Sequence, residues 1–127
     1  MSSFSDYLEN KVMLHVFGGT AYTAPTTLYL ALYTTAPTDT GGGTELSGSG
    51  YARQTVAFTV TNDTASNTSA IEFPTATGSW GTIVAVGVFD QLTSGNLLAY
   101  GNLTASKTIA SGDVFRVPAG DLDITLA

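Results

Sequence analysis

The sequence has no cysteine, a single histidine and little charge: four Lys and Arg and ten Asp and Glu make up 11% of its 127 residues. A chain without cysteine forms no disulfide, and one histidine cannot supply the clustered Cys and His ligands of a zinc site. A catalytic triad would have to use His15, which lies beside an apolar stripe in the sequence. We therefore predict no enzyme activity, no catalytic residue, no metal and no cofactor.

Basic residues are scarce and dispersed. Lys11, Arg53, Lys107 and Arg116 stand singly in a chain with a formal net charge of −6. Nucleic acids and anionic membranes are bound by clustered Lys and Arg, so neither is an expected partner. The N-terminus has no basic region leading into an apolar run, and no window approaches the ~20 apolar residues of a membrane span. We expect neither a secretory signal nor a transmembrane helix.

Small hydroxyl residues are abundant instead, with 21 Thr and 11 Ser in the chain. Threonine is β-branched and favours strands, and the hydroxyls keep a weakly charged surface soluble. The length is that of one domain. We predict a single domain over residues 1–127, with a helix in 1–19 and a β-sandwich in 26–127 that carries a glycine-rich loop at 40–50.

The helix is predicted from the spacing of apolar residues near the N-terminus. Phe4, Leu8, Val12 and Val16 recur every fourth residue, and Gly18-Gly19 ends the run. This period places the four side chains on one face of a helix. We predict an amphipathic helix from Phe4 to Phe17.

After Pro25 the apolar residues alternate with a period of two, as in strands. Leu28 to Tyr33 is apolar on both faces, and Thr82 to Phe89 is the best candidate for a central strand. We predict a mainly β protein, an antiparallel sandwich or jelly-roll-like domain of about seven or eight strands. The predicted strands are 28–33, 51–60, 69–73, 82–89, 97–100, 107–109, 114–117 and 122–126, with a polar turn at 62–67.

Within the predicted strand 51–60, alternation directs Val56, Phe58 and Val60 to one face and leaves Arg53 in a mixed or exposed position. The carboxylates of Asp121 and Asp123 share a face of the last strand. Calcium takes such oxygen ligands, whereas solvated carboxylates at a strand edge are the simpler interpretation.

Aromatic residues offer one further possibility. Trp80, Tyr51 and Tyr100 could stack on a sugar or a base if they were exposed. A tryptophan between glycines is more typical of a core or of a subunit contact. The remaining hypothesis is association, because a small sandwich must cover its helix stripe and its strand edges. We predict an interface formed by Tyr7, Leu8, Val12, Phe17, Trp80 and Gly42, and a homo-oligomer, specifically a trimer.

Several segments together resemble a known family. They are F-S-D-Y-L-E-N-K-V (Phe4 to Val12), H-V-F-G-G-T-A-Y-T-A-P (His15 to Pro25), L-Y-L-A-L-Y-T-T-A-P-T-D (Leu28 to Asp39), S-G-S-G-Y-A-R-Q (Ser47 to Gln54), E-F-P-T-A-T-G-S-W-G-T (Glu72 to Thr82) and A-G-D-L-D-I-T-L (Ala119 to Leu126). Their order and content resemble small structural proteins of tailed-bacteriophage virions, often labelled tail fibre proteins. The resemblance implies a virion component made in the host cytoplasm, and it implies no catalytic residues.

The position in the particle is a separate question. The chain has no internal repeat and no coiled-coil heptads, which slender fibres commonly use. We therefore expect a decoration, or cement, protein on the outer surface of the head, bound to the major capsid protein and stabilising the assembled shell. The alternative is a structural or carbohydrate-binding module of the tail fibre or tail tip, with other tail proteins as partners.

Overall fold

The computed structural model describes residues 2–126, which form short antiparallel strands and one helix. The predicted mainly β, antiparallel sandwich with an N-terminal helix is confirmed. In chain order the elements are β1 (Ser2–Phe4), α1 (Asp6–Val16), β2 (Leu28–Thr35), β3 (Thr44–Glu45), β4 (Gln54–Val56), β5 (Phe58–Thr61), β6 (Thr64–Asn67), β7 (Ile71–Glu72), β8 (Gly81–Phe89), β9 (Leu97–Ile109), β10 (Arg116–Val117) and β11 (Asp123–Thr125).

The main layer is a six-stranded sheet in the order β1-β9-β8-β2-β3, with β4 paired to the first half of β2. Strands β2 and β8 lie at its centre, in register from Tyr29 opposite Phe89 to Tyr33 opposite Ala85. The facing layer consists of a three-stranded sheet, β11-β6-β5, and a two-stranded sheet, β10-β7. The main sheet thus carries the strands to which the helix is attached.

The larger core cluster lies between these layers. Leu30, Leu32, Ile83 and Val88 point from the main sheet into it, and Phe115 reaches it from the facing layer. Leu30, Leu32 and Ile83 have no accessible surface. Burying each such side chain contributes about 1.5–3 kcal/mol to stability, so this cluster is the main source of the fold's stability.

A smaller cluster lies on the opposite face of the main sheet, where Ala31, Tyr33, Ala85, Phe89 and Leu97 pack together. The alternating pattern of β2 therefore buries side chains on both faces, as its sequence predicts. Gly87 makes the close approach possible: a Cβ there would lie 2.9 Å from Leu97 Cδ1 and 3.0 Å from Tyr33 Cε1.

The five largest differences from the predicted boundaries are the following. Phe4 is in β1, and α1 begins at Asp6, because Ser5 caps the helix. Strand 51–60 is split into β4 and β5, which join different sheets, and Val60 is 70% exposed beyond the core. The predicted turn 62–67 contains β6, the loop 40–50 contains β3, and the strands 97–100 and 107–109 are the two ends of β9.

Candidate functional site

Helix α1 is attached to the main sheet through its N-cap residue, Ser5. The Ser5 N–H donates to Leu98 O at 2.8 Å, and the Ser5 hydroxyl donates to Leu97 O. The same hydroxyl accepts the Leu8 N–H at 3.2 Å, which makes Ser5 the N-cap of the helix. Ser5 is 2% exposed, so the start of α1 is fixed in the fold.

Beyond this attachment the helix contributes little to the core, since none of its eleven residues is buried. Tyr7, Leu8 and Val12 are half-buried against the body of the protein. Toward the C-terminal end the apolar side chains are open to solvent: Met13 is 56% exposed, Val16 60% and Phe17 78%. Their i, i+3, i+4 spacing places these three on one face, which we call the α1 apolar face.

The chain that follows α1 turns back along it. The His15 Nδ1 accepts the Tyr22 N–H at 3.0 Å, and the Lys11 ammonium lies 5.5 Å from the centre of the Tyr7 ring. Burial, with smaller contributions from Tyr7 and Asp90, raises the pKa of Tyr22. His15 thus supports the fold of this return segment through a ring nitrogen, which is a structural role.

Gly42 lies beside the start of the helix. It lines a depression of about 520 Å³ together with Tyr7 and Arg53. Its φ of +74° favours glycine, and a Cβ there would meet nothing within 4 Å. The loop is held by Asp39, whose carbonyl accepts the Asp6 N–H at 2.8 Å and whose carboxylate accepts the Tyr100 hydroxyl. Of the six predicted interface residues, Tyr7 and Gly42 therefore meet in one depression.

Arg53 forms the floor of that depression and is 9% exposed, so the prediction that it is mixed or exposed is wrong. Its Nε and Nη2 donate to the two carboxylate oxygens of Glu45 at 2.9 and 2.8 Å. Its Nη1 donates to the carbonyls of Gln91 at 2.9 Å and Ser94 at 2.7 Å, and the guanidinium lies 3.7 Å from the centre of the Phe89 ring. Long-range partners, which strand alternation does not reveal, explain this burial.

Arg53 and its neighbours Glu45, Tyr51 and Tyr33 form a polar cluster. Hydrogen bonds and burial set the protonation states of its members. Burial alone would raise the pKa of Glu45, but the hydrogen bonds from Arg53 and Tyr51 outweigh burial and hold that pKa below its usual value. Burial and the Glu45 carboxylate raise the pKa of Tyr51, and burial raises the pKa of Tyr33 to about 12. At neutral pH the cluster is an ion pair with neutral tyrosines, and it braces the loops around the depression.

Trp80 lies in the larger core cluster and is 4% exposed. Its Nε1 donates to Ser49 O at 2.9 Å, and its ring meets the Tyr51 ring edge-on at 5.8 Å. Its side chain therefore has almost no surface to offer a partner or a sugar. Of the two alternatives weighed for Trp80, the structure places it as a core residue.

Asp121 and Asp123 are not arranged as a metal site, and Asp121 lies before β11, which begins at Asp123. The Asp123 carboxylate accepts the Ser66 hydroxyl, and Asp121 is exposed. Within residues 2–126, no three His, Asp or Glu side chains lie close enough together to hold a metal ion. The helix among those residues is also too short to cross a membrane.

Sequence reasoning missed two features of this site. The first is Ser5, whose role as an anchor depends on β9, far away in sequence. The second is that Met13 and Val16 join Phe17 in the exposed patch. Their spacing was visible in the sequence, but it does not distinguish a face that packs on the chain's own core from one left open.

The sequence matches a known protein family. A sequence model of the family described as "Podophage GP4 fiber I protein gp80" matches residues 3–125, which is nearly the whole chain. No curated protein matches the sequence.

Proposed function

The chain belongs to the podophage GP4 fiber I protein family and is a structural protein of the phage virion, and from this premise we propose that it is a fibre component. In this proposal it joins neighbouring copies through helix α1. The family description favours the tail fibre, which was the alternative in our reading of the sequence. The activity we assign is assembly, with no catalytic step.

The α1 apolar face is the observation that carries this proposal. A helix of eleven residues is marginal in water on its own, and most helices in proteins gain their stability by packing an apolar face. Here the first turn is fixed by Ser5, whereas Met13, Val16 and Phe17 are more than half exposed. The expected cover is a surface outside this chain.

A second and third copy of the chain are the partners that we propose for this face. Homo-oligomers form closed, symmetric assemblies, and equivalent helices brought together around an axis bury the same apolar face in every copy. The fixed start of α1 would hold each helix at a constant angle to its sandwich. This arrangement gives the trimer expected from the sequence.

The shape of the protein favours a second candidate, the decoration of the head. The chain is a small sandwich without the repeats of a long shaft, and a module of this kind also suits the outer surface of a capsid. In that case α1 would contact the major capsid protein, and binding to the assembled shell alone would stabilise it.

Imaging of intact particles distinguishes these candidates. Cryo-electron microscopy of the virion, with the sandwich fitted into the density, should place the protein at the tail in a small number of copies, with α1 at the contact between copies. The copy number from a stained gel gives an independent count. Hundreds of copies spread over the shell would overturn the fibre proposal in favour of decoration, and tail copies whose α1 faces solvent would overturn the role of the helix.

A further inference from the structure

The two layers of the sandwich leave a groove of about 520 Å³ between them on one side. Core residues of the main sheet lie beneath it, including Leu30, Val86 and Val88, which have little or no accessible surface. The partly buried Leu122 and Ile124 form its far wall. This volume lies within the roughly 300–1,000 Å³ of typical ligand sites, and an apolar floor with a few polar groups is their usual lining.

An irregularity in β9 forms the near wall. Ile83 pairs with Lys107 and Ala85 pairs with Asn102, so residues 103–106 stand outside the regular ladder with β8. Leu103 packs toward the core, and the following residues are exposed. Bulges of this kind release backbone N–H and C=O groups from the ladder and are common beside binding sites. The groove therefore has hydrogen-bonding groups along its rim.

Lys107 is the charged side chain of this wall. It lies directly opposite Ile83, and paired residues share a face of the sheet, so Lys107 is on the side that faces the core. It is exposed at the mouth of the groove, and among residues 2–126 the only ion pair is the one between Arg53 and Glu45. A lysine that faces the space between the two layers and has no acidic partner can bind an anionic group of a ligand.

The opposite wall supplies an acceptor. Asp121 is exposed and lines the groove, and no hydrogen bond from the described residues reaches its carboxylate. Asp123 also lies along this wall, but its carboxylate is engaged by Ser66, which pairs with it on β6. Within residues 2–126, the groove thus has the unpaired Lys107 on one wall and the free carboxylate of Asp121 on the facing wall. Arg116 also lines it and, among the described residues, is likewise in no ion pair.

We propose that this groove binds an acidic saccharide, a sugar that carries a carboxylate. The sugar carboxylate pairs with Lys107, and hydroxyls donate to Asp121 and bond to the backbone of 103–106. A C–H face of the ring packs on Leu103, Leu122 and Ile124, which are only partly buried. An added β-strand fits less well, because the bulge breaks the regular edge that such pairing needs. The site lies away from α1, so it does not depend on the proposed function.

Binding can be measured on the whole chain by calorimetry and by amide NMR shifts. The probes are an oligosaccharide of glucuronic acid, the matching oligosaccharide of glucose, and inorganic phosphate. We expect the acidic sugar to bind and to shift the amides of 101–107 and 115–124, and the neutral sugar to bind at least ~10-fold more weakly, because one charged hydrogen bond is lost.

Three variants test the assignment. Lys107→Gln should weaken binding of the acidic sugar ~10-fold, and Asp121→Asn should weaken binding of both sugars. Lys11→Gln, which removes a lysine on α1, is the matched control and should change neither. Thermal unfolding of each variant shows whether it is folded. The proposal would be overturned if the acidic and neutral sugars bound equally well, or if Lys107→Gln left binding unchanged. It would also be overturned if the folded protein bound phosphate but not the acidic sugar, or bound none of the probes.

Discussion

Helix α1 and strand β2 are both apolar and both periodic, yet they differ in what they bury. In β2, Leu30, Ala31 and Leu32 have no accessible surface, and side chains from both faces of the strand enter a core cluster. In α1 no residue is buried, and the apolar side chains near its end are open. The chain thus covers both apolar faces of β2 with its own residues and leaves the apolar end of α1 uncovered.

This difference indicates which interactions stabilise each region of the folded chain. Around β2, packing between layers and the buried polar cluster stabilise the isolated chain. Along α1, the Ser5 cap and the half-buried Tyr7, Leu8 and Val12 fix the helix, but its exposed end gains nothing from the chain itself. Changes near β2 should therefore reduce stability, whereas changes on the α1 apolar face should reduce association.

The largest expected effect is the loss of Arg53, the cation of the buried cluster near β2. Arg53→Met leaves two loop carbonyls without their donor, and it leaves the Glu45 carboxylate with the Tyr51 hydroxyl alone and no cation. Breaking one partner of a buried ion pair typically costs about 3–5 kcal/mol. Because the Glu45 side chain is 25% exposed, urea unfolding should show a loss at or below the lower end of that range. Arg116→Met, at an exposed position, should change the free energy of unfolding by less than about 0.5 kcal/mol. A loss as small as that of the control would show that the cluster does not brace this region.

A smaller effect is expected from pH, again through Glu45. Its folded pKa lies below the ordinary value of 4.5, so as the pH falls through this range the unfolded chain takes up the proton first. The stability that Glu45 contributes is therefore complete above about pH 4.5 and is lost as the pH falls through the folded pKa. The difference in unfolding free energy between the wild type and Glu45→Gln should shrink from pH 7 to pH 3. A difference that stays constant would contradict the role of the carboxylate.

The comparison of α1 with β2 also shows what a sequence can predict. Alternation in β2 and β8 is local and strong, and it was sufficient to predict central strands and burial on both faces. The split between β4 and β5 was not predictable in this way, because the two halves of an alternating run pair with different sheets. Pairing partners far away in sequence decide such boundaries.

The candidate site shows the same limit. The helix and the apolar character of its stripe were predictable from spacing alone. The anchor at Ser5, the burial of Arg53 and the placement of Trp80 in the core depend on contacts with residues tens of positions away. A periodic pattern shows that a face is apolar, but the remaining chain decides whether that face is covered.

The smallest expected effect on stability is at the α1 apolar face. Changes there test most directly whether α1, unlike β2, serves association rather than stability. The variant Met13→Gln, Val16→Gln and Phe17→Gln keeps good helix formers on exposed positions, so the unfolding free energy of the monomer should change by less than about 0.5 kcal/mol per site. Light scattering after gel filtration should show a trimer for the wild type and a monomer for the variant. The matched control, Val60→Thr, Leu92→Gln and Val114→Thr, alters three other exposed apolar residues and should remain trimeric. If the α1 variant instead unfolds, or if it stays trimeric, then the exposed end of α1 is not the surface that joins the copies.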